Sequence, residues 1–368
     1  MIVSDLNLSY SQVQWSTLNN KKVQMNKKIR ESFLGIGPMS LNVIDAIDQY
    51  SLENKEPIMI ICSRNQIEAK ELGSGYVNNL STEEFTKIIR VKKQKNPWIF
   101  LCRDHSGPFV RNKPKDTMNE EIEDTKKSLK VDIDCNFDLL HIDTSLCKEK
   151  KHEIATELFN FCNKQNITNK PLYYEYGSEE HGVALNRNQF EIDLKFISNF
   201  KNIEFIVGTT GSLTKEIYQA GEFNFEDAIF MSNLSKKYNI RIKDHNCDYL
   251  DYIDVQMRRK AGLGALNVAP SFGAFETKTV ISNALSLSLF KNVNNFKSIV
   301  LDSKKWEKWC FNTSTNDAKF FSTGHYFFTH ESYLELIYEI QKNIDINKMI
   351  VHNHKQFIKT YLDKNRLN

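Results

Sequence analysis

Eight short apolar segments recur along the 368-residue chain, and their spacing restricts its fold more than any other feature. Their first residues lie roughly 25 to 40 positions apart, and the stretches between them have the pattern of helices. Most segments lack strict alternation of polar and apolar residues, as expected for strands covered on both faces. Strands that alternate with helices predict a parallel sheet. The predicted strands are 32–36, 57–62, 98–102, 139–142, 172–176, 203–207, 240–243 and 265–268.

The residues that follow these strands favour a closed (β/α)8 TIM barrel over an open doubly wound sheet, which stays the alternative. Polar residues and glycines come directly after all eight strands. In a barrel these positions share the face on which active sites lie, whereas an open sheet needs them only near its switch point. The clusters are 35–38, 63–66, 104–105, 143–145, 179–181, 209–211, 245–246 and 269–271.

The two ends of the chain differ in composition from the predicted barrel. Residues 1–30 are polar, and we expect an N-terminal arm there, followed by the barrel over 31–290. Residues 291–368 are expected to form a helical C-terminal extension that packs on the barrel. The predicted helices near this end are 280–289, 303–311, 333–342 and 354–363.

Charge and composition exclude several classes of function. The net charge is +3, from 49 basic and 46 acidic residues, which is too small to favour a nucleic acid or an anionic membrane as partner. No apolar run of about 18 residues occurs, and we see no signal peptide. The seven cysteines are odd in number and contain no CxxC pair, so we expect reduced thiols and a cytoplasmic location.

Three histidines follow odd-numbered predicted strands and are candidates for metal ligands. His105 follows strand 3, His181 follows strand 5 and His245 follows strand 7, and Asp104 and Glu179 lie beside the first two. Odd strands of a barrel place equivalent residues in one layer. Zinc, or another divalent metal, accepts nitrogen and oxygen ligands of this kind and polarises a carbonyl. Asp104 is the candidate for moving a proton, and Glu179 is the alternative ligand to His181.

Other motifs carry weaker signals. His141 lies inside predicted strand 4, and we expect it to be structural. His325 lies in an aromatic loop for which packing is expected, with closure over the site as the alternative. The GSGY turn at 73–76 lacks the Gly-Lys-Ser/Thr of a P-loop, and the GIGPMS segment is not a complete dinucleotide fingerprint. No GxSxG elbow of a serine hydrolase occurs.

Several segments together resemble a known family. They read, in order, SRNQIEAKELGSGYVNN, CRDHSGPF, LLHIDTSLC, YGSEEHG, KDHNCDYLD and LGALNVAPSFGAFET, and KWEKWC with GHYFF follows near the C-terminus. They resemble motifs of the non-catalytic-subunit family of class II D-tagatose-bisphosphate aldolase, over roughly residues 32–340. That family is similar to the catalytic class II aldolases, which are zinc-dependent TIM barrels with an Asp-His pair at the end of strand 3.

The resemblance implies roles for individual residues. Asp104 matches the catalytic acid/base, His105 and His245 match zinc ligands, and Glu179 matches the family's Gly-Thr-Glu after strand 5, which makes it the second catalytic candidate. The chain departs from the catalytic enzymes in two places. Strand 6 is not followed by a ligand histidine, which leaves His181 as a replacement, and strand 7 is not followed by a Gly-Gly-Ser-Gly phosphate loop.

Three functions follow from these observations, in decreasing order of preference. The first is a metal-dependent enzyme that performs reversible aldol cleavage or condensation, or a related epimerisation or isomerisation, on a sugar phosphate or related sugar. The second is a non-catalytic subunit that stabilises a partner class II aldolase, and a homo-oligomer is also possible. The third is a carbohydrate-binding module. The candidate substrate-binding residues are Asn65, Gln66, Gly75, Tyr76, Asp143, Asn246, Asp248 and Asn267.

Overall fold

Eight parallel strands close into a barrel in the computed structural model, which describes residues 29–168, 170–178 and 183–363. Each barrel strand pairs with the next in the chain, and the last pairs with the first, so the (β/α)8 prediction is confirmed and the open sheet is excluded. The strands are β1 Leu34–Ile36, β2 Ile58–Ser63, β3 Ile99–Ser106, β4 Leu139–Asp143, β5 Tyr173–Gly177, β6 Ile203–Gly208, β7 Arg241–Asp244 and β8 Ala265–Val268. A small hairpin, Thr214–Lys215 with Tyr218–Gln219, lies between β6 and β7.

A helix follows each barrel strand, and further helices follow the last of these. The helices around the barrel are α1 Leu41–Asn54, α2 Thr82–Lys93, α3 Met118–Asp134, α4 Lys151–Gln165, α5 Arg187–Ile197, α6 Phe225–Lys236, α7 Tyr252–Lys260 and α8 Pro270–Ser286. The C-terminal helices are α9 Phe290–Asp302, α10 Asn316–Thr323, α11 Glu331–Gln341 and α12 Ile346–Leu362. Helices α2, α3 and α7 each begin with a capping box, which satisfies N–H groups of their first turns.

Two cores cover the two faces of the barrel strands. Ile61, Cys102 and Leu139 belong to a cluster inside the barrel, whereas their neighbours Ile60 and Leu101 pack in the layer between strands and helices. This burial on both faces explains why the strands lack an alternating pattern. Because side chains alternate along a strand, residues two or four positions beyond the interior residues also point into the barrel, and at its carboxyl end these residues are polar.

The C-terminal helices pack on one another and on the barrel. They share a second hydrophobic cluster that includes Val280, Phe296, Leu336 and Ile350, and α12 contacts α1. Almost all of the predicted N-terminal arm lies outside the described residues. No helix in the described part of the chain has both the length and the apolarity needed to cross a membrane.

Glu276 on α8 ties the C-terminal helices to the barrel. It is 2% exposed and accepts hydrogen bonds from Ser40 Oγ at 2.5 Å, Asn42 Nδ2 at 3.0 Å and Tyr333 OH at 3.3 Å, and it lies 3.3 Å from His354 Nε2. Removal of a buried carboxylate leaves its donors without partners.

We therefore expect Glu276→Ala to lower the free energy of unfolding by about 3 kcal/mol, measured by urea denaturation. Glu335 on the exposed face of α11 provides the matched control, and Glu335→Ala should change stability by less than about 0.5 kcal/mol. Equal effects of the two substitutions would show that the buried network contributes nothing.

Candidate metal centre and active-site cavity

Strand β3 brings two consecutive side chains to the mouth of the barrel. The predicted strand stopped at Cys102, but the ladder continues to Ser106, and its register with β4 shifts between Arg103 and Ser106. His105 adopts a left-handed backbone conformation with φ of 46°. An irregularity of this kind redirects a side chain. As a result both Asp104 and His105 contribute to one polar cluster, while Arg103 pairs with the buried Asp132.

Four side chains meet at this mouth. One ligand atom from each of Asp104, His105, His141 and His245 lies within 4.8 Å of the other three. His141, which we expected to be structural, is one of these four side chains. It lies inside an apolar strand but points to the same side of β4 as Asp143.

His245 presents one ring nitrogen to the centre of the cluster. Its Nε2 lies 2.7 Å from Glu175 Oε1. Burial raises the pKa of Glu175, but the charges of Lys243, His141 and His245 outweigh it and lower the pKa to about 2. The carboxylate therefore accepts a hydrogen bond from Nε2–H. Burial lowers the pKa of His245, so the ring is neutral and Nδ1 carries the lone pair.

His105 faces that lone pair. Its Nδ1 lies 2.6 Å from Asp143 Oδ2, so Nδ1–H donates to this carboxylate, and its Nε2 lies 3.3 Å from His245 Nδ1. Burial lowers the pKa of His105, but Asp104 and Asp143 outweigh it and raise the pKa to about 9. The ring is therefore protonated, and Nε2–H points to His245 Nδ1.

The side chains of His105, His245 and Asp104 are suited to bind a divalent metal in the position now taken by the proton between His105 Nε2 and His245 Nδ1. Two nitrogens bound to one tetrahedral zinc at 2.0–2.1 Å lie about 3.3 Å apart, which matches the distance between His105 Nε2 and His245 Nδ1. Both rings are held through their other nitrogen by a carboxylate, as is usual for metal-binding histidines. Asp104 adds a carboxylate with Oδ2 at 3.8 Å from His105 Nε2.

His141 is less well placed than His105 and His245 to bind a metal. Its Nδ1 lies 3.5 Å from Asp104 Oδ1, but it also accepts the main-chain N–H of His105 at 3.1 Å. A metal bound through this atom would require that hydrogen bond to break. The other nitrogen, Nε2, is buried without a partner among the described residues. A Cβ at Gly177 would lie 2.5 Å from it, so only glycine leaves room for this ring.

Asp104 is held as an ionised carboxylate. Burial raises its pKa, but the imidazoles of His105, His141 and His245 outweigh burial and hold the pKa well below its usual range. Asn267 of β8 donates a hydrogen bond from Nδ2 to Asp104 Oδ1 at 3.3 Å. These contacts orient the carboxylate beside the paired histidines.

Sequence reasoning missed two residues beneath this layer, Glu175 and Lys243. Their side chains form an ion pair of 2.6 Å inside the barrel, and neither is exposed. Glu175 also holds His245. The alternation of side chains along a strand could have indicated Lys243, because it lies two residues before His245 and therefore points to the same side of the strand.

A cavity of about 450 Å³ opens above the cluster. Of the predicted site residues, nine line it: Asn65, Gln66, Tyr76, His105, Asp143, His245, Asn246, Asp248 and Asn267. Asp104 belongs to the cluster at its floor. Gly75 does not line the cavity, because it lies against the backbone of Gln66, where a Cβ would come within 1.9 Å of the Gln66 carbonyl oxygen. Glu179 and His181 lie outside the described residues.

The C-terminal segment forms one wall of the cavity. Lys308, Trp309, His325 and Tyr326 line it, and Trp309 Nε1 donates to Tyr326 OH at 3.0 Å. His325 is 2% exposed, and burial together with nearby lysines lowers its pKa to about 3. The loop therefore packs, as expected, and it also borders the cavity.

Asp248 caps helix α8 from the loop after β7. Its Oδ1 accepts the N–H of Ala269 at 3.0 Å and of Ser271 at 2.9 Å. Burial raises the pKa of Asp248 to about 6, and the hydrogen bonds limit the rise. The side chain is 2% exposed.

Because the pKa of Asp248 is raised, we expect its ionisation to lower the stability of the folded protein. The folded protein holds the proton more tightly than the unfolded chain, whose aspartates titrate near about 3.9. The ionised carboxylate therefore lowers stability above about pH 6, and that cost shrinks as pH falls toward 4. Asp248→Asn keeps an oxygen acceptor but cannot ionise.

We expect wild type to gain about 1 kcal/mol relative to Asp248→Asn between pH 7 and pH 5. Urea denaturation of both proteins at each pH measures it. A difference in unfolding free energy that does not change with pH would contradict the prediction.

Comparisons with known proteins support the fold. No protein-family model matches the chain, and no curated protein matches it. A protein described as a probable tagatose 6 phosphate kinase from Sinorhizobium meliloti 1021 superposes with a TM-score of 0.75 at 14% identity, over 89% of this chain and 98% of that one. The YdjI aldolase from Escherichia coli K12 gives 0.55 at 12% identity, over 95% and 98% of the two chains.

A fructose-bisphosphate aldolase from Campylobacter jejuni gives a TM-score of 0.52 at 12% identity, over 73% of this chain and 80% of that one. At these identities the similarity shows that the chain shares the barrel fold of aldolase-like proteins.

Proposed function

We propose that the protein is a metal-dependent enzyme of the class II aldolase type that performs reversible aldol cleavage or condensation of a carbohydrate. One observation carries the proposal. His105 Nε2 and His245 Nδ1 face each other at 3.3 Å, beside the ionised Asp104 and at the floor of a cavity of about 450 Å³. A cavity of this size accommodates a small ligand.

The protein's own residues would divide the work as follows. His105, His245 and Asp104 would hold a zinc or other divalent ion, which when bound supplies Lewis-acid polarisation of a substrate carbonyl. Asp143 and Glu175 hold His105 through Nδ1 and His245 through Nε2, so that His105 Nε2 and His245 Nδ1 would be the nitrogens that bind the ion. Trp309 and Tyr326 form part of the wall of the cavity.

Asp104 would carry the proton. In the cleavage direction its carboxylate accepts the proton of the hydroxyl group on the carbon whose C–C bond breaks. The electron pair of that bond passes to the enediolate product, and the proton then returns to carbon. Its low pKa means that the side chain starts as a base. An isomerase, or an epimerase that works through an enediolate, would instead use Asp104 to remove a proton from the carbon next to the carbonyl and to return one to carbon, and no C–C bond would break.

Deuterium exchange tests this proposal without knowledge of the aldehyde partner. Hydroxyketones of three to six carbons are incubated in D2O with zinc-loaded protein, and loss of the C–H signal next to the carbonyl is followed by NMR. We expect exchange that stops when a chelator removes the metal. No exchange with any ketone, free or phosphorylated, would contradict the proposed function.

One observation favours a second candidate, a non-catalytic subunit that stabilises a partner aldolase. His141 Nδ1 already accepts the main-chain N–H of His105, so among the described residues two imidazole nitrogens face the proposed metal position, His105 Nε2 and His245 Nδ1. A stable complex with a catalytic barrel protein, together with absence of metal binding by this chain, would support that role. Stoichiometric zinc binding and exchange by this chain alone would exclude it as the sole role.

A further inference from the structure

The loops after β7 and β8 form the part of a (β/α)8 barrel that often binds phosphate, together with the N-terminus of a nearby helix. In this protein the helix is α8. Its first-turn donors are few, because Pro270 has no N–H and Phe272 N–H donates to the Ala269 carbonyl at 3.1 Å. The N–H groups of Ala269 and Ser271 both donate to Asp248 Oδ1. The chain's own carboxylate therefore occupies the position that an anion would take.

The loop that carries Asp248 is held from two sides. Gln219 of the hairpin donates from Nε2 to the carbonyls of Asn246 at 2.8 Å and Asp248 at 3.2 Å. Tyr361 of α12 donates from OH to the Cys247 carbonyl at 2.9 Å. The loop also contains no glycine between His245 and Asp251, so it lacks the residue that permits close approach of a phosphate to the backbone.

The basic side chains that line the cavity do not replace the phosphate-binding loop that is missing after β7. Besides the protonated His105, two basic side chains in the described part of the chain line the cavity, Arg64 and Lys308. Arg64 is fully engaged by Glu68, by Thr125 and by two carbonyls. Lys308 belongs to the wall formed by the C-terminal segment, and burial lowers its pKa. Asp248 lines the cavity at the start of α8, so its carboxylate would repel a phosphate dianion placed at this position.

We propose that the ligand of this cavity is an uncharged polyhydroxy ketone, and that Asp248 excludes phosphate esters by filling the anion position at the start of α8. Asp248 is thus a specificity-determining residue, and this inference rests on the proposed function. A hydroxyl group can donate to the Asp248 carboxylate, whereas a phosphate cannot.

Calorimetric binding to zinc-loaded wild type provides the first test. The probes are dihydroxyacetone, D-fructose and D-tagatose, each compared with its phosphate ester. We expect each free ketose to bind at least about tenfold more tightly than its ester, because each ester brings a like charge to Asp248. Tighter binding of the esters, or no binding of any free ketose, would overturn the inference.

Substitution of Asp248 provides the second test, with inorganic phosphate as the probe. Asp248→Gly frees two N–H donors and removes the charge, so phosphate affinity should rise at least about tenfold. Asp248→Asn should gain less, because its oxygen still accepts both N–H groups. Circular dichroism confirms that each variant is folded. A folded glycine variant with no gain would overturn the role of Asp248, and if it does not fold, the wild-type comparison decides.

These outcomes are separate from failure of the proposed function. Faster deuterium exchange into the esters than into the free ketoses would overturn the inference while supporting the enzyme. Absence of exchange into every probe would contradict the enzyme itself.

Discussion

Asp104→Asn is expected to lower the rate of deuterium exchange into the best ketone substrate by about 10²- to 10⁴-fold, the usual contribution of a positioned acid/base. Asparagine preserves the shape of the side chain and still has an oxygen near His141, but it cannot accept and return a proton. The measurement is the initial exchange rate by NMR, at saturating zinc and at saturating ketone.

The control for this variant is Asp134→Asn. Asp134 lies at the end of α3 with 57% of its side chain exposed and pairs only with Lys130 among the described residues. The Asp134→Asn variant should catalyse deuterium exchange into the ketone at the wild-type rate. If Asp104→Asn keeps more than about a tenth of the wild-type rate with zinc bound, the proton passes through another group and the assignment of Asp104 is wrong.

His245→Ala should have the second largest effect, on metal binding. It removes one of the two nitrogens that face each other at 3.3 Å, so zinc affinity should fall by more than about 100-fold. Asp143→Asn removes only the carboxylate that orients His105, and loss of such an outer partner costs about 10- to 100-fold. In a competition titration against a zinc-binding dye, His245→Ala should therefore lose more zinc affinity than Asp143→Asn.

His352→Ala is the matched control for this titration, because His352 is exposed on α12 and should leave zinc affinity unchanged. Equal affinity of wild type and His245→Ala would show that zinc binds elsewhere. Loss of affinity in His245→Ala but not in a His105→Ala variant would show that the two histidines do not share one ion.

The barrel could be predicted from the sequence because the signal is repeated. Most of the eight strands are short apolar segments, with β7 (RIKD) as an exception, and the closed topology brings polar residues at the ends of β2, β3, β4 and β7 to one cavity. Asp104, His105 and His245 were predicted in this way, and the structure places them in one cluster. The sequence pattern of the helices was weaker than that of the strands. Helix α7 buries only Val255 and Arg258, so it has almost no apolar pattern.

The remaining part of the candidate site could not be predicted because it depends on side-chain direction within strands. His141 and Glu175 lie inside apolar segments, where a polar residue looks like an isolated exception. The position of Asp248 depends on a contact between two loops, which no local pattern encodes. The extension of β3 past Cys102 depends on a register shift against β4.

Anomalous diffraction from crystals of the zinc-loaded protein shows directly whether His105 and His245 share one metal ion. We expect a single strong zinc peak between His105 Nε2 and His245 Nδ1, within bonding distance of both nitrogens and beside the Asp104 carboxylate. A map with no peak at this place, or with zinc bound only at other residues, would contradict it.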